Sequence, residues 1–173
     1  MRDLQYWRRF TRGEGRDIIP PRPQCNLHSD VADVGYGGTL GTDLNPGSTG
    51  LWDCQGLWGP YERHNPITMR ELRAVRMTLR HHFSQFLRDP RTQHLLVHLD
   101  NQPVVRILKA MVSASPALIS ELRKLRSMLE ILGIKIQSRW LPSAVNKYAD
   151  ALSRTWRPTD LRVTEQLVRD LKN

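Results

Sequence analysis

The stretch LHSDVADVGYGG, residues 27–38, carries most of the information about the fold of this 173-residue chain. Alternating residues over 25–32 predict a β-strand, residues 33–35 predict a tight turn, and residues 36–41 predict a strand that returns antiparallel. Residues 51–58 predict a third strand, so the chain is expected to begin its sheet as a three-stranded meander.

The pattern then changes to alternating helices and strands. Apolar residues spaced by three and four indicate amphipathic helices, and short apolar runs indicate buried strands. The predicted elements are a helix over 68–87, a strand over 95–99, a short helix over 103–111, a helix from Leu118 that ends at Gly133, a strand over 134–140, a helix over 145–154 and a terminal helix from Thr159 through Leu171. This order predicts an α/β fold: a mixed five-stranded sheet with right-handed parallel crossovers and helices on both faces.

The expected organisation is one domain between two short flanking segments. Residues 1–23 are a basic, aromatic and Pro-rich lead-in, residues 24–156 the domain, and residues 157–173 a C-terminal helix. No apolar run approaches the roughly 20 residues needed to span a bilayer, so we expect no membrane partner and an intracellular protein, in cytoplasm or nucleus. Cys25 and Cys54 fit neither a metal spacing nor a disulfide framework and are expected to be buried, reduced thiols.

The chain is strongly basic. It has 26 Lys and Arg against 17 Asp and Glu, a formal charge of +9. This balance favours a polyanionic partner, nucleic acid before an anionic membrane. Arg70, Arg73, Arg76 and Arg80 form a stripe on the predicted long helix. One alternative is therefore a helical DNA-binding domain that uses this stripe for recognition, although an ordinary solvated helix face is the more common meaning of such a stripe.

Four carboxylates occupy the ends of predicted elements. Asp30 lies in the first strand, Glu71 in the first turn of the long helix, Asp100 at the end of the fourth strand, and Asp150 on the helix after the last strand. If the first and fourth strands are neighbours, Asp30 and Asp100 meet at one edge of the sheet. Glu71 and Asp150 can then complete an acidic cluster.

Each acid also has a structural explanation. Glu71 can form a capping box with Thr68, and Asp100 with Asn101 can cap the following helix. Asp150 can be a solvated helix residue. Asp30 is hardest to explain structurally, because a carboxylate in a central strand is costly unless paired or metal-bound. Asp33 competes for its role but fits the turn.

Clustered carboxylates repel one another unless cations are present. Oxygen-only ligands favour hard ions, so the predicted cofactor is Mg²⁺, as two ions, with Mn²⁺ as a substitute. Two such ions support in-line displacement at phosphorus. The pattern therefore predicts a phosphodiesterase.

At these residues the sequence resembles the ribonuclease H domain joined to reverse transcriptases of retroelements, particularly the gypsy-type and DIRS-like groups. The resemblance runs from about residue 7 to residue 154. Four motifs carry it in order: SDVADVGYGG places Asp30, MRELRAV places Glu71, HLDNQPVV places Asp100, and NKYADALSR places Asp150. The resemblance implies a ribonuclease H-like fold with these four acids as the catalytic, metal-binding residues.

The implied activity is endonucleolytic hydrolysis of the RNA strand of RNA–DNA hybrids, leaving 3′-hydroxyl and 5′-phosphate ends. Asp30 and Asp100 would contact both metals, Glu71 one metal and the scissile region, and Asp150 the other metal. The implied partners are the hybrid and a reverse transcriptase polymerase domain. This chain itself contains no Tyr/Phe-x-Asp-Asp polymerase motif.

Two departures from the family accompany the resemblance. Many relatives have a His ahead of the closing Asp, where the nearest equivalent here is Trp140. Only 50 positions separate Asp100 from Asp150, so the extra basic helix of cellular ribonucleases H is expected to be absent. The alternative function is a domesticated module of this fold that binds nucleic acid or protein without cutting. A lost carboxylate would indicate such a module, and all four are present.

Overall fold

Five strands form the centre of the structure, a computed structural model that describes residues 22–41, 52–88 and 93–154. They are β1 (Cys25–Val31), β2 (Gly35–Gly41), β3 (Trp52–Leu57), β4 (His94–Leu99) and β5 (Lys135–Trp140). The sheet order is β3-β2-β1-β4-β5. β1 pairs antiparallel with β2 and parallel with β4, β2 pairs antiparallel with β3, and β4 pairs parallel with β5. The predicted meander and the parallel pairing of the later strands are confirmed.

The described residues form five helices. They are α1 (Ile67–His81), α2 (Phe83–Arg88), α3 (Gln102–Ala110), α4 (Pro116–Leu132) and α5 (Lys147–Arg154), with a single 3₁₀ turn at Glu62–His64. The prediction of one helix over 68–87 was wrong, because the chain leaves α-helical geometry at His82, where φ is −93° and ψ is 10°. Phe86 remains buried beyond this break. The spacing of apolar residues predicts which side of a helix faces the core. It does not reveal a single residue at which the helix axis changes direction.

Helices cover both faces of the sheet, as two consecutive glycines in β2 demonstrate. A Cβ atom at Gly37 would clash with the backbone of Ser153 and the side chain of Leu152 in α5. A Cβ atom at Gly38 would clash with Thr78 in α1. Successive strand residues point to opposite faces, so α1 and α5 lie on opposite sides of β2, each too close for any side chain larger than hydrogen.

The larger apolar core lies between the sheet and the helices on the α1 side. It includes Leu27, Leu40, Leu72, Val75, Leu79, Leu95, Val97, Leu99, Val104, Leu108, Leu122, Leu125 and Leu129. α4 ends as predicted at Gly133, which adopts the left-handed conformation with φ of 65°. Cys25 and Cys54 are buried free thiols, which confirms the expectation for them.

Some sequence predictions lie outside the described residues. These are the terminal helix from Thr159 and all but the last two residues of the lead-in over 1–23. Within the described ranges, no helix has both the length and the apolar character required to cross a bilayer.

Candidate active site

Parallel pairing places two of the predicted acids at the same edge of the sheet. His28 in β1 lies opposite His98 in β4. Asp30 and Asp100 each follow two residues later, so both lie where these neighbouring strands end. Asp30 is 6% exposed, whereas Asp100 is partly exposed in the turn before α3. The predicted meeting of Asp30 and Asp100 is confirmed.

The two helix-borne acids approach the same point. Glu71 projects from the second turn of α1, and carboxylate oxygens of Asp30, Glu71 and Asp100 all lie within 4.8 Å of one another. Asp150 on α5 approaches Asp30 from the other side closely enough to raise the pKa of Asp30. All four line one cleft of about 350 Å³, together with Val31, Ile67, Asn101, Ser143 and Arg154. The structure therefore brings the four predicted residues together.

The cluster holds two acids whose ionised forms are strongly disfavoured. Burial, the hydrogen bond to Asp150 and the nearby Asp100 charge raise the pKa of Asp30 to about 8. Burial and then the charges of Asp30 and Asp100 raise the pKa of Glu71 to about 9. Glu71 is 3% exposed, and its buried Oε2 atom has no hydrogen-bond partner. Buried, clustered acids of this kind destabilise the folded protein unless a bound ligand of opposite charge compensates them.

The capping-box alternative for Glu71 was wrong. α1 begins two residues earlier than that motif requires, with Pro66 instead of Thr68 at the N-cap position and no side-chain capping hydrogen bond. Thr68 therefore lies inside the helix. Glu71 is left in the cleft without the local backbone partner that would have explained it.

Asp100 is held by the segment that follows β5. The Ser143 hydroxyl donates to Asp100 Oδ2 at 2.7 Å, and the Trp140 indole Nε1 donates to the Asp100 carbonyl at 3.0 Å. The capping alternative for Asp100 is also decided by the structure. Asn101, rather than Asp100, caps α3 by accepting from the Val104 amide at 3.2 Å. Ser143 was missed from the sequence, since a serine in a Pro-Ser loop carries no local sign of a partner 43 residues away.

Asp150 makes contacts that a plain solvated residue lacks. Besides Asp30, it accepts from Arg154 Nε at 2.6 Å, one helical turn away. The start of α5 is anchored to β1, because Asn146 Nδ2 donates to the Ser29 carbonyl at 3.1 Å. Asn146 is the first residue of the NKYADALSR motif. The motif therefore includes this residue, but the sequence did not reveal that Asn146 anchors α5 to β1.

Two stacked histidines lie behind the acids. The rings of His28 and His98 are 4.4 Å apart and nearly parallel, and His98 Nε2 lies 3.1 Å from Asn26 Oδ1. Burial lowers the pKa of both rings to about 4. The floor of the site is therefore uncharged near neutral pH and supplies no cation to balance the carboxylates.

The arginine stripe of α1 is not a free recognition face. Arg73 and Arg76 pair with the buried Glu121 of α4, and Arg70 donates to the Ala32 carbonyl at 2.9 Å. A solely helical domain is also excluded by the five-stranded sheet. The alternative of a helical DNA-binding domain was wrong, because the fold contains this sheet and three of the four arginines join its elements.

The donor set of the cleft suits a hard divalent cation. Its ligand atoms are carboxylate oxygens, two of its acids are buried, and one buried oxygen has no partner. These are the ligands that Mg²⁺ and Mn²⁺ prefer. Asp30, Glu71 and Asp100 can hold such an ion, with Asp150 beside them.

Solved structures share the architecture. The amino-terminal RNase H domain of rv2228c from Mycobacterium tuberculosis, solved as a fusion with maltose-binding protein, matches with a TM-score of 0.60 at 18% identity, covering 84% of this chain and 99% of that chain. LC11-RNase H1, isolated from compost and solved with an RNA/DNA hybrid, matches with a TM-score of 0.59 at 15% identity, covering 74% and 92%.

A viral protein also matches. The prototype foamy virus protease-reverse transcriptase gives a TM-score of 0.50 at 18% identity, covering 83% of this chain and 22% of the viral chain. No protein-family model matches the sequence, and the search of curated proteins found no match. At these identities the likeness establishes architecture alone. The described residues adopt a ribonuclease H-like α/β fold.

Proposed function

We propose that this protein is a metal-dependent endonuclease that hydrolyses the RNA strand of RNA–DNA hybrids. The observation that carries the proposal is the convergence of Asp30, Glu71 and Asp100 within 4.8 Å in a ribonuclease H-like fold. The burial of Asp30 and Glu71 beside other acids supports a cation-dependent site. The excess of basic residues in the chain, +9 overall, supports a polyanionic substrate. One structural neighbour, LC11-RNase H1, was solved with such a hybrid.

Within this proposal, Asp30, Glu71, Asp100 and Asp150 hold two Mg²⁺ ions, for which Mn²⁺ can substitute. When bound, such ions activate water and stabilise charge on the attacking and leaving oxygens. Hydrolysis adds water across the phosphodiester. The bond from phosphorus to the 3′ oxygen breaks, the 3′ oxygen takes up a proton, and a 5′-phosphate remains. Ser143 orients the Asp100 carboxylate, and Asn146 fixes the position of α5 and hence of Asp150.

We further propose a retroelement context, with a reverse transcriptase polymerase domain as partner. The resemblance of the four motifs supports it, as does the structural match to a foamy virus protease-reverse transcriptase. The test is hybrid cleavage by this chain alone and in the presence of a polymerase domain from such an element. Stimulation of cleavage or a change in cut position is expected, and an unchanged product pattern would contradict this part of the proposal.

The main experiment is cleavage of a labelled RNA–DNA hybrid beside single-stranded RNA, duplex RNA and duplex DNA. Mg²⁺ and Mn²⁺ should support hybrid cleavage, whereas EDTA should abolish it. Ca²⁺ should bind and inhibit, because its six to eight ligands at longer distances misplace the attacking water. A misplacement of about 1 Å costs on the order of 100-fold in rate.

Asp100→Asn supplies the control, with cleavage lost and hybrid affinity nearly unchanged. Phosphate contacts by Lys and Arg provide most of the affinity, whereas the acids hold the cation. Wild-type protein that binds the hybrid and never cuts it would favour the non-cleaving binding module. Full activity in EDTA would exclude the metal-dependent mechanism.

A further inference from the structure

Arg154 lies at the end of α5, four residues after Asp150 and on the same side of the helix. Its Nε atom is 2.6 Å from Asp150 Oδ1. Both side chains reach solvent, at 47% and 40% exposure, so the pair stands at the cleft mouth rather than in the core. Pairs with this spacing are common on helices, and by itself this one would indicate only a stable helix end.

The charged residues that line the cleft indicate a second role for the Arg154–Asp150 pair. Among the described residues that line the cleft, Arg154 alone has a positively charged side chain. The other charged groups there are the four carboxylates. Asp150 also contacts Asp30, so the partner of Arg154 belongs to the acidic cluster and not to an isolated surface pair.

A guanidinium and a divalent cation make competing demands on one carboxylate. Both require its oxygens, and both are positive, so each weakens the binding of the other across a few ångströms. We propose that Arg154 is a built-in counter-ion that competes with divalent cations for Asp150 and so sets the cation concentration at which the site fills. The inference deepens the proposed function and rests on it in one respect, the placement of Asp150 at the cation site.

The expected effect is moderate, because the pair is exposed. Replacing Arg154 by Gln should lower the half-saturating Mg²⁺ concentration by about two- to fivefold, the range expected for an exposed ion pair. The difference should shrink as salt rises, since screening weakens both the pair and the repulsion of the incoming cation. Loss of an arginine thus tightens cation binding.

The experiment measures cation binding by the full chain without nucleic acid. The rise of Tm with Mg²⁺ concentration gives the binding midpoint, and calorimetric titration with Mn²⁺ checks it. Arg154→Lys keeps the charge and should stay near wild type. Arg126→Gln removes one positive charge from an exposed position on α4, outside the cleft, and should leave the midpoint unchanged.

A midpoint for Arg154→Gln equal to or higher than that of wild type would overturn the inference. So would an equal decrease in Arg126→Gln, which would reduce the effect to net charge. Arg154→Gln should lower the midpoint less in the Asp150→Asn background than in wild type, because only the direct repulsion of the cation remains there. An equal decrease in both backgrounds would show that Arg154 does not act through Asp150.

Hybrid cleavage by wild type separates this inference from the proposed function. If wild type fails to cut the hybrid while Arg154→Gln still shifts the cation midpoint, the counter-ion stands and the nuclease proposal fails. If wild type cuts the hybrid and the midpoint does not move, the nuclease proposal stands and the counter-ion fails. An increased KM for the hybrid with an unchanged cation titration would make Arg154 a substrate contact and overturn the proposal.

Discussion

Two glutamates on neighbouring helices are buried to nearly the same degree but have opposite electrostatic surroundings. Glu71 on α1 is 3% exposed and Glu121 on α4 is 1% exposed. Glu121 pairs with Arg76, with Arg73 at 3.5 Å and with Lys124 at 3.6 Å. Glu71 faces Asp30 and Asp100, and one of its oxygens has no hydrogen-bond partner.

The network around Glu121 joins parts of the fold. Arg73 also pairs with Glu62 at 2.8 Å, and Glu62 accepts from the Gly59 amide at 2.9 Å. These contacts connect α1, α4 and the segment after β3. Both carboxylates in this network have cationic partners, as a structural role requires.

Burial of a carboxylate is therefore not evidence of function. The difference lies in compensation. Glu121 has direct ion pairs with cations of its own chain, whereas at Glu71 burial and the charges of Asp30 and Asp100 outweigh the Arg70 charge and raise the pKa. A group left uncompensated at a cleft costs stability and is retained where a ligand supplies the missing charge. Substitution of the two glutamates should separate these roles.

The largest expected effect is on activity. Glu71→Gln should lower the rate of hybrid cleavage by at least about 100-fold, because it removes a charged ligand and misplaces the reacting groups. Its free energy of unfolding in EDTA should stay equal or increase, since a disfavoured acid is replaced by a neutral amide of the same shape. Single-turnover cleavage and urea denaturation measure the two quantities. Near wild-type cleavage would remove Glu71 from the site.

The matched substitution at Glu121 should show the reverse. Glu121→Gln leaves Arg73 and Arg76 without their main carboxylate and should destabilise the fold by about 2–3 kcal/mol. The value is near the low end for a buried pair because both arginines partly reach solvent. Cleavage by the folded fraction should change less than about threefold, because α4 does not line the cleft. Unchanged stability would contradict the structural role.

Stability of the cation-free protein should depend on pH in a defined window. Asp30 and Glu71 bind protons more tightly in the folded than in the unfolded state, with pKa values of about 8 and about 9. The stabilisation from these protons is fully present below the unfolded-state pKa values of about 4 and is lost progressively until the pH has risen through the folded-state values. Each acid accounts for up to about 1.4 kcal/mol per pH unit, so a total loss of about 1–3 kcal/mol is expected between pH 7 and pH 9.

The stacked histidines affect the free energy of unfolding only at lower pH, so they do not mask its decrease between pH 7 and pH 9. The lowered pKa values of His28 and His98 make their contribution disappear only as pH falls from about 6.5 towards 4. Denaturant midpoints in EDTA across pH 6–9 test the prediction, with saturating Mg²⁺ as the control that should flatten the curve. Stability that rises from pH 7 to pH 9 in EDTA would show that the cluster is compensated.

The smallest expected effect is that of Asp30→Asn in EDTA. At pH 7 Asp30 is ionised in the unfolded chain and must be protonated on folding, so the asparagine variant, which needs no proton, should already be more stable than wild type. At pH 9 the acid is ionised among like charges, and the variant should be more stable than wild type by on the order of 1 kcal/mol. Calorimetric Tm values at the two pH values measure the gain. A variant that is less stable at pH 9 would indicate a structural hydrogen-bonding role for Asp30.

Strand predictions from the sequence were accurate to about one residue, whereas helix predictions were less so. The first strand was predicted over 25–32 and is Cys25–Val31, and the last was predicted over 134–140 and is Lys135–Trp140. The helix predicted over 145–154 begins at Lys147, because residues before it form a turn anchored by Asn146. The break at His82 was missed because the apolar spacing continues through it.

For the candidate site, the sequence identified the four acids and their approximate meeting point. It did not reveal the hydrogen bond from Ser143 to Asp100 or the place of Arg154 in the cleft. A serine in a loop and an arginine at a helix end are ordinary residues there. The partners of Ser143 and Arg154 depend on how the segment after β5 and α5 pack against the sheet.

What the sequence alone determined is the order and type of the elements and the identity of the acids, because periodicity and turn chemistry act over a few residues. Only the tertiary structure decided which acid is compensated. In sequence, Glu71 lies between Arg70 and Arg73, and Glu121 has Lys124 three residues away, so both are close to positive charge. In the fold, Arg73 turns to Glu121 and Glu71 turns to Asp30 and Asp100. Electrostatic energy depends on distance through space, and that distance exists only once the helices are packed.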